Sequence, residues 1–232
     1  MNILQIIFNP VSAFKDIKRE NKFPVMALVI LILLTTVNLI LMVPITSKIT
    51  AITMSSMPLP ESQLDATMAI MHKLRYLFVI GGVFSIAIML FLYALIFYVI
   101  TVIAKPAISY MKAFTLIVYG YFAILISEFV NTGIMYFRGL DKITNPFELS
   151  FTGLNMFTTI QEAGAVIYTF LCLINPFQIW FIILLSIGIK IFADIKYIKA
   201  LIICIIFWLT TIIYPIVTMA ITESALRNAG IL

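Results

Sequence analysis

Long apolar runs alternate with short polar stretches along the whole chain. About 20 apolar residues in a helix cross a bilayer core, and helices are favoured there because their backbone groups pair internally. Runs of this kind predict membrane spans at residues 25–43, 76–103, 113–136, 163–189 and 200–221. The pattern therefore predicts an all-α integral membrane bundle of about five transmembrane helices, forming a single domain over residues 1–232.

The segment before the first span carries its own helix signal. Asn9 and Pro10 are typical of a helix start, with Asn as the cap and Pro at the first helical position. Val11, Phe14 and Ile17 then recur three apart, and the charged residues fall on the other face. This pattern predicts a short interfacial helix within residues 1–24, on the cytoplasmic side of the membrane.

The Asn-Pro pair occurs twice more, at Asn145-Pro146 and Asn175-Pro176. Each has a Glu or Gln three residues after the Asn, the spacing of a capping box. Helix starts are therefore predicted near residues 146 and 176.

The start at Pro176 falls inside the fourth apolar run. Proline removes a helical hydrogen bond and pushes the preceding residue toward an extended conformation. A broken fourth helix is predicted, with pieces at about 163–174 and 176–191. The alternative is four full spans with one re-entrant or interfacial helix.

The first connection is rich in methionine, and Leu64, Met68 and Met71 share one helical face. A helix that begins near Glu61 and continues into the second span is predicted. Its Met-rich face is interpreted first as a cover for its own bundle, and second as a contact for a partner.

Composition and charge refine this prediction. Apolar residues make up 63% of the chain and charged residues 11%, an excess that lipid can cover. Nine Lys and Arg lie on the side of the N-terminus and six on the other. This bias predicts a cytoplasmic N-terminus and, with five spans, an external C-terminus, whereas an even number of spans would bring the C-terminus inside. The basic residues form no continuous patch, so nucleic-acid binding is not expected.

Motifs of membrane enzymes and nucleotide-binding proteins are missing from the sequence. The chain has one histidine, His72, and two isolated cysteines, Cys172 and Cys204. Spacings typical of a zinc site are absent. We therefore expect no catalytic residue, no cofactor and no metal, and the chain is not predicted to be an enzyme.

Intramembrane polar groups are the remaining candidates, because they are costly in lipid and often functional. Glu128 is the one acidic residue well inside a predicted span, and Ser127, Asn131 and Thr132 lie within one turn of it. One hypothesis is an ion, proton or ligand contact facing the bundle interior. The other, which is favoured, is a hydrogen-bonded group that packs helices together.

A second polar group, formed by Asn175, Gln178 and Trp180, lies at the predicted break. Broken helices line cavities in transporters, usually as a matching pair in two halves. Because only one break is predicted, a simple turn of the chain is favoured.

Small residues four apart, Gly81 with Ser85 and Ala123 with Ser127, are typical of close helix contacts. They fit either internal packing or the binding of another subunit.

Two stretches resemble a known family. One is NPVSAFKDIKRENKFP, with Asn9-Pro10 and Phe14; the other is LINPFQIWFIILLSIGIKIFADIKYIKA, with Asn175-Pro176 and Trp180. In order and spacing they resemble the Yip family of Rab-interacting-type polytopic membrane proteins, in particular its short bacterial branch.

The resemblance implies a compact bundle of about five spans with no enzymatic role. Eukaryotic members act in vesicle traffic with small GTPases and carry a long hydrophilic N-terminal region with an acidic-tyrosine motif. This chain has only 24 residues before the first span, without tyrosine, so binding of a Rab-type GTPase is not expected. By analogy with some bacterial members, the leading hypothesis is an accessory or scaffold subunit of an ABC exporter for toxic peptides or drugs, in the bacterial cell membrane. The alternative is a small transporter or channel with a polar site near Glu128.

Overall fold

The computed structural model describes residues 3–20, 23–55, 61–106, 108–143 and 150–228. Within these ranges the chain is helical, with short 3-10 turns at Leu140–Lys142 and Leu154–Phe157. The α-helices are α1 (Ile3–Phe8), α2 (Pro10–Glu20), α3 (Val25–Ser55), α4 (Glu61–Ile103), α5 (Tyr110–Arg138), α6 (Ile160–Ala163), α7 (Ala165–Leu173), α8 (Pro176–Ala193) and α9 (Tyr197–Asn228).

Five of these helices are long and apolar enough to cross a membrane: α3, α4, α5, α8 and α9. Their candidate spans are Val25–Met54, Lys73–Ile103, Tyr110–Arg138, Pro176–Ala193 and Tyr197–Ser224. The predicted fold class, a helical membrane bundle with five spans, is confirmed.

The first span ends later than the sequence predicts, because α3 passes through Pro44 and continues to Ser55. A proline costs one hydrogen bond of the helical ladder, but Ser and Thr side chains often stabilise membrane helices around it. The carbonyl that Pro44 leaves without its N–H is that of Ile40, and the hydroxyls of Thr46 and Ser47 add hydrogen bonds beside it, to the carbonyl of Val43, at 3.0 and 2.8 Å. Pro44 therefore lies within the helix and does not end it.

Helix α4 begins at Glu61 and runs without a break into the second span, as predicted. Its 43 residues correspond to about 65 Å at 1.5 Å per residue. The bilayer core is about 30 Å thick. Helix α4 is therefore too long to lie within the core alone.

The fourth apolar run is broken where Asn175-Pro176 predicts a break. Helix α7 ends at Leu173 and α8 begins at Pro176. The predicted broken fourth helix is therefore observed, and within the run predicted at residues 163–189 the element long enough to cross the membrane is Pro176–Ala193. Its 18 residues correspond to about 27 Å, close to the core thickness.

Helix α5 is the centre of the bundle. In its most apolar stretch 72% of the residues are buried, against 22% in those of α3 and α4. It contacts α3, α4 and α8. The outer helices present most of their apolar surface outward, as expected where lipid surrounds the protein.

The proximal end of the bundle is the end where α2, the start of α5 and the end of α8 meet. Ala13, Phe14 and Ile17 of α2 are buried, and α2 packs on α8. The ammonium of Lys18 donates to the carbonyl of Ile191 in the last turn of α8, at 2.6 Å. The predicted N-terminal helix, α2, thus packs on the rest of the protein through its apolar face.

Candidate functional site

Glu128 lies on α5 and is partly buried. The hydroxyl of Tyr121, two turns earlier on the same helix, donates to Glu128 Oε1 at 3.3 Å. A hydrogen bond within one helix satisfies part of this polar side chain at membrane depth. Its described partner therefore belongs to its own helix.

Ser127 and Asn131 point to a different partner, the chain segment that follows α5. The Ser127 and Thr152 hydroxyls lie 3.2 Å apart, and Asn131 Nδ2 donates to Thr152 Oγ1 at 3.3 Å. The backbone N–H of Phe151 donates to Asn131 Oδ1 at 2.9 Å. These bonds fasten residues 150–152 to the side of α5.

Thr132 makes a third kind of contact. Its hydroxyl donates to Asn38 Oδ1 on α3 at 3.0 Å, and both side chains are buried. One turn further, the Tyr136 hydroxyl donates to the carbonyl of Leu41 at 2.7 Å. The two bonds link the second half of α5 to α3.

The four neighbouring polar residues of α5 thus form hydrogen bonds with three different sets of partners. Within the described residues, Glu128 bonds Tyr121, Ser127 and Asn131 bond residues 151–152, and Thr132 bonds Asn38. The bonds of Ser127, Asn131 and Thr132 join α5 to segments far along the chain, whereas the bond of Glu128 stays within α5. A polar site at Glu128 and a packing role for these residues both stay hypotheses.

Asn175 caps α8. Its Oδ1 accepts from the N–H of Gln178 at 2.8 Å, and its Nδ2 donates to the carbonyl of Cys172 at 3.2 Å. Pro176 occupies the first turn, and Trp180 packs partly buried against the core. The observed bonds join Asn175 to the backbone of Cys172 and Gln178, so they close the end of α7 and start α8.

Asn9 and Pro10 have the roles that their sequence predicts. The N–H of Ser12 donates to Asn9 Oδ1 at 3.4 Å, and α2 begins at Pro10. The third Asn-Pro pair, Asn145-Pro146, lies outside the described residues, so its helix start stays a prediction.

The distal end of the bundle is the opposite end, where α5 ends and α8 begins, and it contains a cavity of about 450 Å³. Its walls come from the last turns of α5, the segment 150–159 and the start of α7. The lining residues are Ile134, Arg138, Ser150, Phe151, Asn155, Met156, Thr158, Thr159 and Tyr168.

Metal ligands are not clustered in the part of the chain that the structure describes: groups of three or more His, Cys, Asp or Glu are absent there. Cys172 and Cys204 are free thiols. The described polar residues are joined by side-chain hydrogen bonds, and Arg138 gives the cavity one cationic side chain.

The comparison with protein families adds the deciding observation. The sequence model of the Yip1 domain matches residues 4–219, nearly the whole chain. The chain belongs to the Yip1 family. With five membrane-crossing helices, this Yip1 protein is an integral, polytopic membrane protein. Neither the curated proteins nor the solved structures gave a match.

The structural roles of two further sets of polar residues of this Yip1 protein are not among those predicted from the sequence. Asn38 and Thr152 are single polar residues whose partners lie far along the chain, so the local sequence carries no signal for them. The capping box of Thr159 and Glu162 at the start of α6 did carry one, the spacing T-x-x-E.

The small-residue pairs of the Yip1 protein face opposite ways. Ala123 and Ser127 are buried inside the bundle. Gly81 and Ser85 are exposed on α4, and a Cβ added at Gly81 would meet no atom within 4 Å. The first pair therefore serves internal packing, and the second is open to the surroundings of the bundle.

Proposed function

We propose that this Yip1-family chain is a non-enzymatic accessory or scaffold subunit that binds another membrane protein. The observation that carries the proposal is the outward Gly81–Ser85 pair on α4. In lipid, helices associate by close packing, and small residues let two backbones approach. A second helix could pack closely against this position, whereas lipid chains would fill the space beside the small residues less completely.

The partner class we propose is the membrane part of an ABC exporter for toxic peptides or drugs. Its support is the likeness to bacterial Yip members that accompany such exporters. The length of α4 is also consistent with it, since about 65 Å of helix offers a partner contact both in the core and beyond it. The same likeness supports a location in the bacterial cell membrane, and the Lys and Arg count of nine against six supports an N-terminus in the cytoplasm.

Co-purification in mild detergent tests the proposal. The tagged chain should bring down exporter subunits, and Gly81→Leu should remove them because the larger side chain blocks close helix approach. Gly133→Leu is the matched control, since Gly133 is also exposed on a membrane helix and a Cβ there meets nothing within 4 Å. A wild-type chain that always elutes alone, or an exporter retained equally by Gly81→Leu, contradicts the proposal.

The orientation has its own test. Tags at the two ends, probed with an impermeant reagent in intact cells, should show a protected N-terminus and an accessible C-terminus. Two protected termini would contradict an odd number of spans.

The second candidate, a small transporter or channel near Glu128, has less support. Glu128 is hydrogen-bonded to Tyr121, and the polar residues beside it are bonded to separate segments. Solute or ion flux in liposomes that contain the purified chain alone would favour it over the accessory role.

A further inference from the structure

The cavity at the distal end has one charged wall. Arg138 lines it, and its guanidinium carbon lies 4.7 Å from the centre of the Phe151 ring. No ion pair between Arg138 and a carboxylate is observed among the described residues. The Phe151 ring thus supports the guanidinium while its charge remains available to an anion.

The depth of this charge matches the lipid headgroups. Arg138 is the last residue of α5, which has 29 residues and a length of about 43 Å. The hydrocarbon core takes about 30 Å of that length, so the helix ends fall in the headgroup layers. Phosphate oxygens in that layer are the anions that a planar guanidinium binds through two parallel hydrogen bonds.

Exposed apolar side chains accompany the lining residues of the same cavity. Met156, which lines it, is 64% exposed, and Phe137 and Phe157, next in sequence to the lining residues Arg138 and Met156, are 94% and 79% exposed. Thr158 and Thr159 add hydroxyl groups to the wall. The nearby carboxylate of Glu162 does not line the cavity and accepts hydrogen bonds from the Thr159 N–H and the Thr158 hydroxyl. A cation beside an apolar rim is complementary to an anionic amphiphile.

We propose that this cavity binds the headgroup of one anionic phospholipid, with the phosphodiester on Arg138 and an acyl chain against Phe137, Met156 and Phe157. Binding of this lipid is separate from the proposed binding of a partner protein, because the cavity lies on α5 and the following segment, and the Gly81–Ser85 pair lies on α4.

Native mass spectrometry of the purified full-length chain, titrated with defined lipids, tests the proposal. We expect one phosphatidylglycerol per chain, retained about tenfold more tightly than phosphatidylcholine, whose own cation compensates its phosphate. Arg138→Gln should weaken the binding of phosphatidylglycerol about tenfold, as expected for the loss of one charge-assisted pair. Arg138→Lys should restore part of the affinity.

Lys142→Gln is the matched control, because Lys142 is an exposed cation four residues after Arg138 and does not line the cavity. It should leave lipid retention unchanged. Equal losses in Lys142→Gln and Arg138→Gln would overturn the site and indicate diffuse surface charge. Equal retention of the two lipids would also overturn it.

Soluble glycerol phosphate distinguishes a lipid site from a site for a free anion. We expect it to displace phosphatidylglycerol only at far higher concentration, because it has no acyl chain. Displacement at equal concentration would overturn the lipid assignment. The double variant Met156→Ser, Phe157→Ser should weaken lipid binding and leave glycerol phosphate binding unchanged, and thermal unfolding in detergent verifies that each variant is folded.

Discussion

The two ends of the bundle are held together by different forces. At the proximal end Phe14 is fully buried, and Gly188 leaves the space that Phe14 and Leu116 fill. At the distal end the contacts are side-chain hydrogen bonds, such as those of Asn131 and Thr132. Because lipid gives helices little hydrophobic reason to associate, close packing and hydrogen bonding are the available sources of stability.

The difference in packing between the two ends determines where a functional site can form. The closely packed proximal end has no room for a ligand at the Phe14–Gly188 contact. The hydrogen-bonded distal end contains an open cavity of about 450 Å³. Substitutions at the two ends should therefore have different consequences.

The largest expected effect is at the proximal end. A Cβ at Gly188 would collide with Leu116 and lie 3.3 Å from Phe14 Cζ. Gly188→Leu should lower the free energy of unfolding by about 3 kcal/mol, because both neighbours are themselves buried. Equilibrium unfolding in mixed micelles, followed by circular dichroism, measures the change. Gly133→Leu, at a position with open space around it, should change it little; equal losses would contradict close packing at the proximal end.

The next effect is at the distal end. Asn131→Leu removes the bond to Thr152 and leaves the N–H of Phe151 without its acceptor. The expected loss is about 2 kcal/mol, the cost of an unsatisfied buried group. Hydrogen exchange at Phe151 should become faster, while exchange in α2 stays unchanged. Faster exchange at both ends would show that the two ends do not act independently.

A smaller effect is expected for the pair that links α3 and α5. Asn38→Leu and Thr132→Val each break the same buried hydrogen bond. A double-mutant cycle should give a coupling free energy of about 1 kcal/mol, in the range measured for hydrogen bonds between membrane helices. A coupling near zero would mean that shape, and not this bond, holds the two helices together.

The smallest effect is expected at Glu128. Glu128→Gln keeps an oxygen that accepts from Tyr121, so the free energy of unfolding should change by less than about 0.5 kcal/mol. The same variant tests the functional hypothesis for Glu128. Unchanged partner binding and unchanged flux in a folded variant would remove this residue as a candidate, whereas loss of either would support a role beyond packing.

Local signals in the sequence predicted much of the fold. The length of apolar runs indicated five spans, and Asn9-Pro10 and Asn175-Pro176 predicted the helix starts at Pro10 and Pro176. Pro44 shows the limit of the local rule, since the surrounding helix tolerates it. A proline signal gives the position of a possible break, and the surroundings decide whether the helix ends there.

The candidate site was much less predictable. Glu128, Ser127 and Asn131 were identified as polar residues in a span, but their partners depend on how distant segments meet. Thr152 lies 21 residues beyond Asn131, and Asn38 lies 94 residues before Thr132. Helical periodicity indicates which residues share a face and carries no information on which distant side chain meets that face.

The contact between Lys18 and Ile191 joins residues 173 positions apart. A ribosome adds about 5–20 residues per second, so α2 is complete roughly 9–35 s before the end of α8 is made. During that interval Phe14 and Ile17 lack the surface that finally covers them. An amphipathic helix can bind the membrane surface during this interval, with its apolar face in the lipid. Helix α2 is thus made well before the surface of α8 on which it finally packs.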